Sequence, residues 1–305
     1  MYKCIILMSA YNGENFIEQQ IKSVLDQKCV EVRLVVRDDG STDNTMEILH
    51  RIAEGYSEKI QVIGGTNVGI HKSFAELMEF AKPQKSEFVA FADQDDVWDK
   101  DKLYRAISQL EEHQADFYSS AARLVDRNLN ELGLTTSNQR QNDHYMNKLS
   151  GILTPGTQGC TIVLRDIFFN EIREIGIPDY YGHDTWITVV AYYIGKCVYD
   201  KVPTMSYRQH DKSWTGDRTN KFKQLIKEYK FFQGGMSRYH LLAKDLLDRF
   251  EDKIKDTNTI NKLAILSHTS KTLNERLYLI FKSGFSKYGF MQDLIFKFNI
   301  LIGKV

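Results

Sequence analysis

Apolar positions open the chain as a short unbroken run, Ile5 to Met8, and then recur at intervals of three and four through Phe16, Ile17, Ile21, Val24 and Leu25. The run predicts a strand buried on both faces, and the spacing predicts a helix with one apolar side. The alternation then repeats. Val30 to Val36 is a β-branched run ending in Arg37-Asp38-Asp39-Gly40. Ile48, Leu49 and Ile52 mark a helix beginning near Thr42-Asp43-Asn44, with Asn44 and Glu47 in capping-box register. Ile60 to Ile63 reads as a third strand, Phe74, Leu77, Met78 and Ala81 as a third helix, and Phe88 to Ala92 as a fourth strand ending at Asp93. Strands alternating with helices predict an α/β fold, a doubly wound and mostly parallel sheet flanked by helices.

Beyond about residue 125 the rhythm loosens. Asn128 to Asn147 is polar and reads as an excursion over the surface. Cys160 to Leu164 reads as a strand, Asp184 to Ile194 as a helix and Cys197 to Val202 as another strand. After Gly216 the pattern is helical to the end, through Tyr229, Phe231, Phe232, Leu241, Leu242, Leu246 and Leu247. The expected organisation is an α/β domain over 1–215 and a helical, basic, amphipathic region over 216–305.

Composition changes this picture little. The 305 residues are 42% hydrophobic and 26% charged, enough to bury a core, and the formal net charge of zero argues against a nucleic-acid partner. The balance is uneven, however: from Lys221 onward Lys and Arg number 16 against 8 Asp and Glu. The four cysteines share no metal-ligand spacing and read as reduced thiols. The opening segment reads as a strand rather than a signal peptide, and no run approaches a membrane span. The expected location is cytoplasmic.

In an open parallel sheet, ligands bind beyond the carboxyl ends of the strands. Here those ends carry Ser9-Ala10-Tyr11-Asn12, Asp38-Asp39-Gly40-Ser41 and Asp93-Gln94-Asp95-Asp96. Any one could be a turn; three converging on one edge point to a site. Clustered carboxylates repel unless protonated or bridged by a cation, and hard oxygen ligands suit Mg²⁺ or Mn²⁺, which in turn hold phosphates. No P-loop accompanies them, which disfavours a kinase or ATPase.

Seven segments recur in order: Met8 to Gly13, Arg37 to Asp43, Asn67-Val68-Gly69, Phe91 to Trp98, Gly159-Cys160-Thr161, Gly182 to Trp186 and Tyr207-Arg208-Gln209-His210. As a set, covering about the first 215 residues, they resemble glycosyltransferase family 2 with its GT-A fold. The combination of Asp-Gln-Asp-Asp-Val-Trp with Tyr-Arg-Gln-His resembles its bacterial cell-surface polysaccharide branch, where rhamnosyltransferases are frequent.

The resemblance implies an inverting transferase that moves one sugar from a dTDP- or UDP-linked donor, dTDP-rhamnose among them, to a hydroxyl of a glycan or lipid-linked acceptor. Ser9, Tyr11 and Asp39 are expected to cradle the nucleotide, Tyr11 stacking on the base and Asp39 accepting from an imide N–H. Asp38 is either a helper there or a turn residue. Asn67 and Gly69 form a close-approach loop, with Lys72 a diphosphate contact or a solvated lysine. Asp93 meets ribose or metal, Asp95 is the first choice for coordinating Mn²⁺ or Mg²⁺, and His210 completes the metal shell. Asp184 is the general base, or caps its helix. The family's Glu-Asp pair is here His183-Asp184, and the Gln-x-x-Arg-Trp signature of processive synthases is absent.

Two other readings stand beside this one. A nucleotidyltransferase would want a glycine- and basic-rich loop after the first strand, which Tyr11-Asn12-Gly13-Glu14 is not. A catalytically degenerate scaffold or binding protein is favoured only by the altered His183-Asp184 pair. The tail from Leu277 alternates aromatic and aliphatic residues with lysines, the pattern of a helix lying in a membrane interface, or one packed on the catalytic domain or a second subunit.

Overall fold

A computed structural model describes residues 1–136, 152, 157–209, 238–268, 271–285 and 290–303. The chain divides into two compact units, one of residues 1–139, 157–187 and 195–209, the other of residues 140–156, 188–194 and 210–305.

The first unit follows the expected alternation: β1 (Tyr2–Ala10), α1 (Ile17–Leu25), β2 (Val30–Asp38), α2 (Thr45–Gly55), β3 (Ile60–Gly64), α3 (Ile70–Phe80) and β4 (Glu87–Ala92). Next come β5 (Val97–Trp98), α4 (Lys102–Glu112), β6 (Phe117–Ser120), β7 (Arg123–Val125) and β8 (Glu131–Thr135). A 3₁₀ turn at Gly159–Thr161 leads to β9 (Val163–Leu164), α5 (Asp166–Ile175), α6 (His183–Ile194), β10 (Cys197–Asp200) and β11 (Met205–Arg208).

Seven strands form the main sheet in the order β10-β6-β9-β4-β1-β2-β3. All its pairings are parallel except those of β9, which runs antiparallel between β4 and β6. Cys4 to Met8 of β1 are fully buried and every residue of β4 is buried, as strands covered on both faces require. The helices supply that cover. Ile17, Ile21 and Val24 of α1, Leu49 and Ile52 of α2, and Phe74, Leu77 and Met78 of α3 are all buried at helical spacing. Each such side chain contributes about 1.5–3 kcal/mol on removal from water. A second sheet, β5-β11-β7-β8, brings Met205 opposite Trp98 and Ser206 alongside Arg123.

Two local expectations are corrected. The capping box at Asn44 and Glu47 does not form: Asn44 Nδ2 donates instead to Glu14 Oε2 at 2.8 Å, and Asp43 Oδ1 accepts from Thr45 N at 3.0 Å. In Cys160 to Leu164 only the last two residues are strand, because Gln158 O draws both Thr161 N and Thr161 Oγ1 into a turn. The expected excursion after Asn128 begins with the exposed strand β8, paired with β7 across a turn in which Asp126 accepts from Asn128 N and Asn130 N; residues 137–147 lie outside the described residues.

In the second unit, α7 (Arg238–Phe250) packs with α8 (Thr257–Ser267), and α9 (Leu273–Phe281) with α10 (Phe290–Leu301). Asp256 caps α8 through Asn258 N and Thr259 N, and Thr272 with Glu275 forms a capping box on α9. Leu246, Phe250, Leu263, Leu266, Leu279, Phe296 and Ile300 are buried. The expected helical Tyr229, Phe231 and Phe232 lie outside the described residues.

Candidate active site

Three strand ends build the site. Parallel pairing sets Ala10 of β1 in register with Asp38 of β2 and Met8 with Ala92 of β4, so the polar residues that follow each strand meet at one edge. Gln94, which sequence reasoning passed over, fastens two of them together. Tyr11 N donates to Gln94 Oε1 and Gln94 Nε2 donates to Tyr11 O, both at 2.9 Å. A Cβ on Gly13 would stand 2.3 Å from Gln94 Oε1, so glycine is what leaves Gln94 its place. The Tyr11 side chain is exposed and open to a stacking partner. Ser9 Oγ lies 2.6 Å from Ser73 Oγ.

At the end of β2 the two aspartates do different work. Asp38 closes a turn, accepting from Gly40 N and Ser41 N through Oδ2 and from Ser41 Oγ through Oδ1. Asp39 is buried and clamps the loop before α3: Oδ1 accepts from Val68 N and Oδ2 from Gly69 N, each at 2.9 Å. Arg37, which sequence reasoning missed, closes on the same Oδ1 at 2.5 Å and on Glu76 at 2.7 Å. Asn67 and Lys72 are exposed on this loop and the first turn of α3.

The acidic run follows β4. Asp93, Gln94 and Asp95 are half-buried, whereas Asp96 is fully buried. Arg208 of β11 holds the run from behind: its N–H donates to Asp96 Oδ1, its Nε to Asp95 O at 2.6 Å and its Nη2 to Gln19 Oε1. Asp96 Oδ2 is buried with no hydrogen-bond partner among the described residues. Lys102, fully buried, places its ammonium 4.3 Å from the Trp98 ring centroid, and burial lowers its pKa to about 8. Burial, then the charge of Asp95, raises both Asp93 and Asp96; Asp184 raises Asp93 further. Carboxylates crowded this way are the donor set a divalent cation would relieve.

Among the described residues, Asp93, Asp96 and Cys160 are the group whose ligand atoms all lie within 4.8 Å of one another. This differs from the expected Asp93, Asp95 and His210. Asp95 lies outside the trio, and His210 lies outside the described residues. Burial pushes the Cys160 thiol up, so it stays protonated and offers little to a hard cation. Asp93 is common to both groupings.

Asp184 approaches from α6 as the second residue of that helix, and its Oδ1 accepts from Thr185 N at 2.7 Å. The turn carrying Cys160 lies against it. A Cβ on Gly159 would stand 3.5 Å from Asp184 Cβ and 2.5 Å from His183 Nε2. His183 is buried, stacked 3.8 Å from Phe74 and 5.0 Å from Phe91, and burial lowers its pKa to about 4. The replacement of the family's glutamate by histidine thus puts a neutral packing ring where a charge would otherwise be.

An open α/β sheet binds its ligands at these strand ends, and carboxylates gathered there suit a cation that in turn holds phosphates. The chain belongs to glycosyl transferase family 2, whose domain matches residues 5–171, and it is a glycosyltransferase. The dTDP-rhamnosyl transferase RfbG of Shigella flexneri is 31% identical over 239 residues, 72% of this chain and 78% of that protein. UDP-Glc:alpha-D-GlcNAc-diphosphoundecaprenol beta-1,3-glucosyltransferase WfaP of Escherichia coli is 25% identical over 244 residues, 77% of this chain and 88% of that one. TarS 1-349 of S. aureus, solved in complex with UDP, shares the fold, with a TM-score of 0.57 at 19% identity over 88% of this chain and 70% of that one. The GT-A expectation is met.

Proposed function

We propose that this chain is an inverting transferase that moves one sugar from a nucleoside-diphosphate donor, dTDP-rhamnose or a UDP-sugar, to a hydroxyl of a glycan or lipid-linked acceptor in bacterial surface polysaccharide synthesis. The observation that carries the reading is that the turn placing Cys160 within 4.8 Å of ligand atoms of Asp93 and Asp96 also lies against Asp184, whose Cβ is 3.5 Å from where a Cβ on Gly159 would stand. A base and a diphosphate site must lie this close for in-line displacement at one carbon. The rhamnosyl and glucosyl activities named for RfbG and WfaP support the donor class.

Tyr11 and Ser9 receive the nucleotide, with Asp39 and Asp38 holding the loops around it. Gly69, Asn67 and Lys72 border the diphosphate. Asp93 and Asp95 would hold Mn²⁺ or Mg²⁺, joined by His210 in the reading of the motif. A cation bound there stabilises charge on the departing diphosphate. The acceptor oxygen attacks the anomeric carbon as the bond to the diphosphate breaks, and Asp184 takes the hydroxyl proton. A buried, uncharged His183 leaves that carboxylate as the ionisable group of the pair, which favours a working enzyme over a degenerate scaffold.

No helix among the described residues is long and apolar enough to cross a membrane. The second unit instead exposes Leu273, Leu277 and Phe281 at four-residue intervals on α9, and Leu294, Phe298 and Leu301 on α10. Two such stripes on a basic region fit a peripheral position at the inner face of the cell membrane, where a lipid-linked acceptor resides.

Asp184→Asn tests the chemistry. Transfer should fall by a factor of about 10²–10⁴ while donor binding, read by isothermal titration, stays within twofold or so; substantial residual turnover would sink the assignment.

A further inference from the structure

Two histidines stand near Asp184, and their surroundings separate them. His183 is enclosed between Phe74, Phe91 and the Gly159 turn, with its Nε2 buried and unpartnered among the described residues. That nitrogen has no partner to hand a proton to among the described residues. His71, the second residue of α3, is half-buried. Its Nδ1 and Cε1 lie 3.0 Å from the point a Cβ on Gly182 would occupy, and Asp184 Oδ1 lies 2.6 Å from that same point. Imidazole and carboxylate therefore both lie within 3.0 Å of the one point that the glycine leaves vacant. A larger residue at position 182 would wedge them apart.

We propose that His71 is the proton relay of the acceptor base, taking from Asp184 the proton that Asp184 removes from the acceptor hydroxyl. The inference rests on Asp184 being that base. The acceptor O–H bond breaks as its oxygen bonds to the anomeric carbon. The electron pair of the sugar–diphosphate bond leaves with the diphosphate. The proton resting on the Asp184 carboxyl then passes to a ring nitrogen of His71, and the imidazolium releases it to water. Each turnover thus resets Asp184 as a carboxylate before the next acceptor arrives. Imidazole is suited to the task because its two ring nitrogens can take up a proton on one side and release one on the other.

Other charged groups lie near this pair among the described residues. On α6, His183 is lowered first by burial, and the charges of Asp184 and His71 both bear on it. Asp93 answers to Asp184 from the end of β4. On α3 itself Lys72 is exposed, and Glu76 is paired with Arg37 of β2, which is closed on its other side by Asp39.

The experiment is the pH dependence of kcat for the full chain, wild type against His71→Gln, with donor KM as the control for an intact nucleotide site. The wild type should show a limb of falling turnover on the acid side. His71→Gln should lack that limb, with kcat reduced roughly 10–100-fold and donor KM nearly unchanged. His71→Ala, checked for fold by circular dichroism, should recover part of its kcat with added imidazole. An unaltered acid limb in His71→Gln, or no recovery with imidazole, overturns the relay. Asp184→Asn separates the two readings. If it abolishes transfer while His71→Gln keeps the wild-type profile, the relay alone fails; if Asp184→Asn keeps turning over, the base assignment fails and the relay with it.

Discussion

Replacing Arg37 by methionine removes a cation from a place where water cannot compensate. The Arg37 and Asp39 side chains are 5% and 3% exposed, and their nearest atoms are 2.5 Å apart. Arg37 also donates to Glu76 Oε2 at 2.7 Å, Ser73 Oγ at 3.2 Å and Thr66 O at 3.3 Å. Methionine keeps most of the volume, so the loss is electrostatic rather than a cavity. It strands the Asp39 carboxylate in the interior with the two loop N–H groups of Val68 and Gly69 as its remaining donors. Breaking one side of a buried pair costs about 3–5 kcal/mol. The two remaining donors place Arg37→Met toward the lower end, about 3 kcal/mol, a large share of a typical total of roughly 5–15 kcal/mol. Urea unfolding followed by circular dichroism measures this directly. A double-mutant cycle with Asp39→Asn isolates the pair, because the amide removes the stranded charge: the two losses should overlap by about 2 kcal/mol. A cost for Arg37→Met under about 1 kcal/mol, or strict additivity, would refute the argument.

Three further outcomes are expected. His183 has its pKa lowered by burial to about 4, so the unfolded chain takes up its proton first as pH falls. Its stabilising contribution is complete above about pH 6.5 and is lost between there and about 4, amounting to roughly 3 kcal/mol. His183→Phe should flatten that part of the stability curve, and parallel wild-type and variant curves would count against it. Asp93→Asn and Asp95→Asn should each weaken Mn²⁺ binding by about tenfold or more in isothermal titration, whereas Asp96→Asn, buried behind the run, should act mainly on stability; unchanged binding in Asp93→Asn would remove the metal from this site. Leu277→Glu with Phe281→Glu should abolish flotation with anionic liposomes and leave transfer to a soluble acceptor intact, and persistent flotation would exclude the α9 stripe.

Much of the first unit was legible from the chain alone, because parallel strands covered on both faces must be apolar without interruption and the helices between them apolar on one side. β1 to β4 and α1 to α3 announce themselves in this way, and the polar residues that stop each strand fall where ligands bind in such sheets. The ordered motifs carried the family, and the acidic run was visible as a strand terminus.

What tertiary structure alone decided are pairings between residues far apart in the chain. The two-residue strands β5 and β9 are too short to show a period, and they exist because Met205 lies opposite Trp98 and Val163 opposite Ala90. The partners of charged groups were equally hidden. Asp39 and Asp38 look alike in sequence, yet one clamps a loop under Arg37 and the other closes a turn. Asp95 and Asp96 are neighbours, yet Arg208 leaves one half-exposed and the other sealed. His71 and Asp184 reach the same point beside Gly182 only through the way α3 and α6 are placed. Periodicity records which face of an element is buried; what a buried charge faces is settled only by packing, since its energy depends on the few ångströms around it.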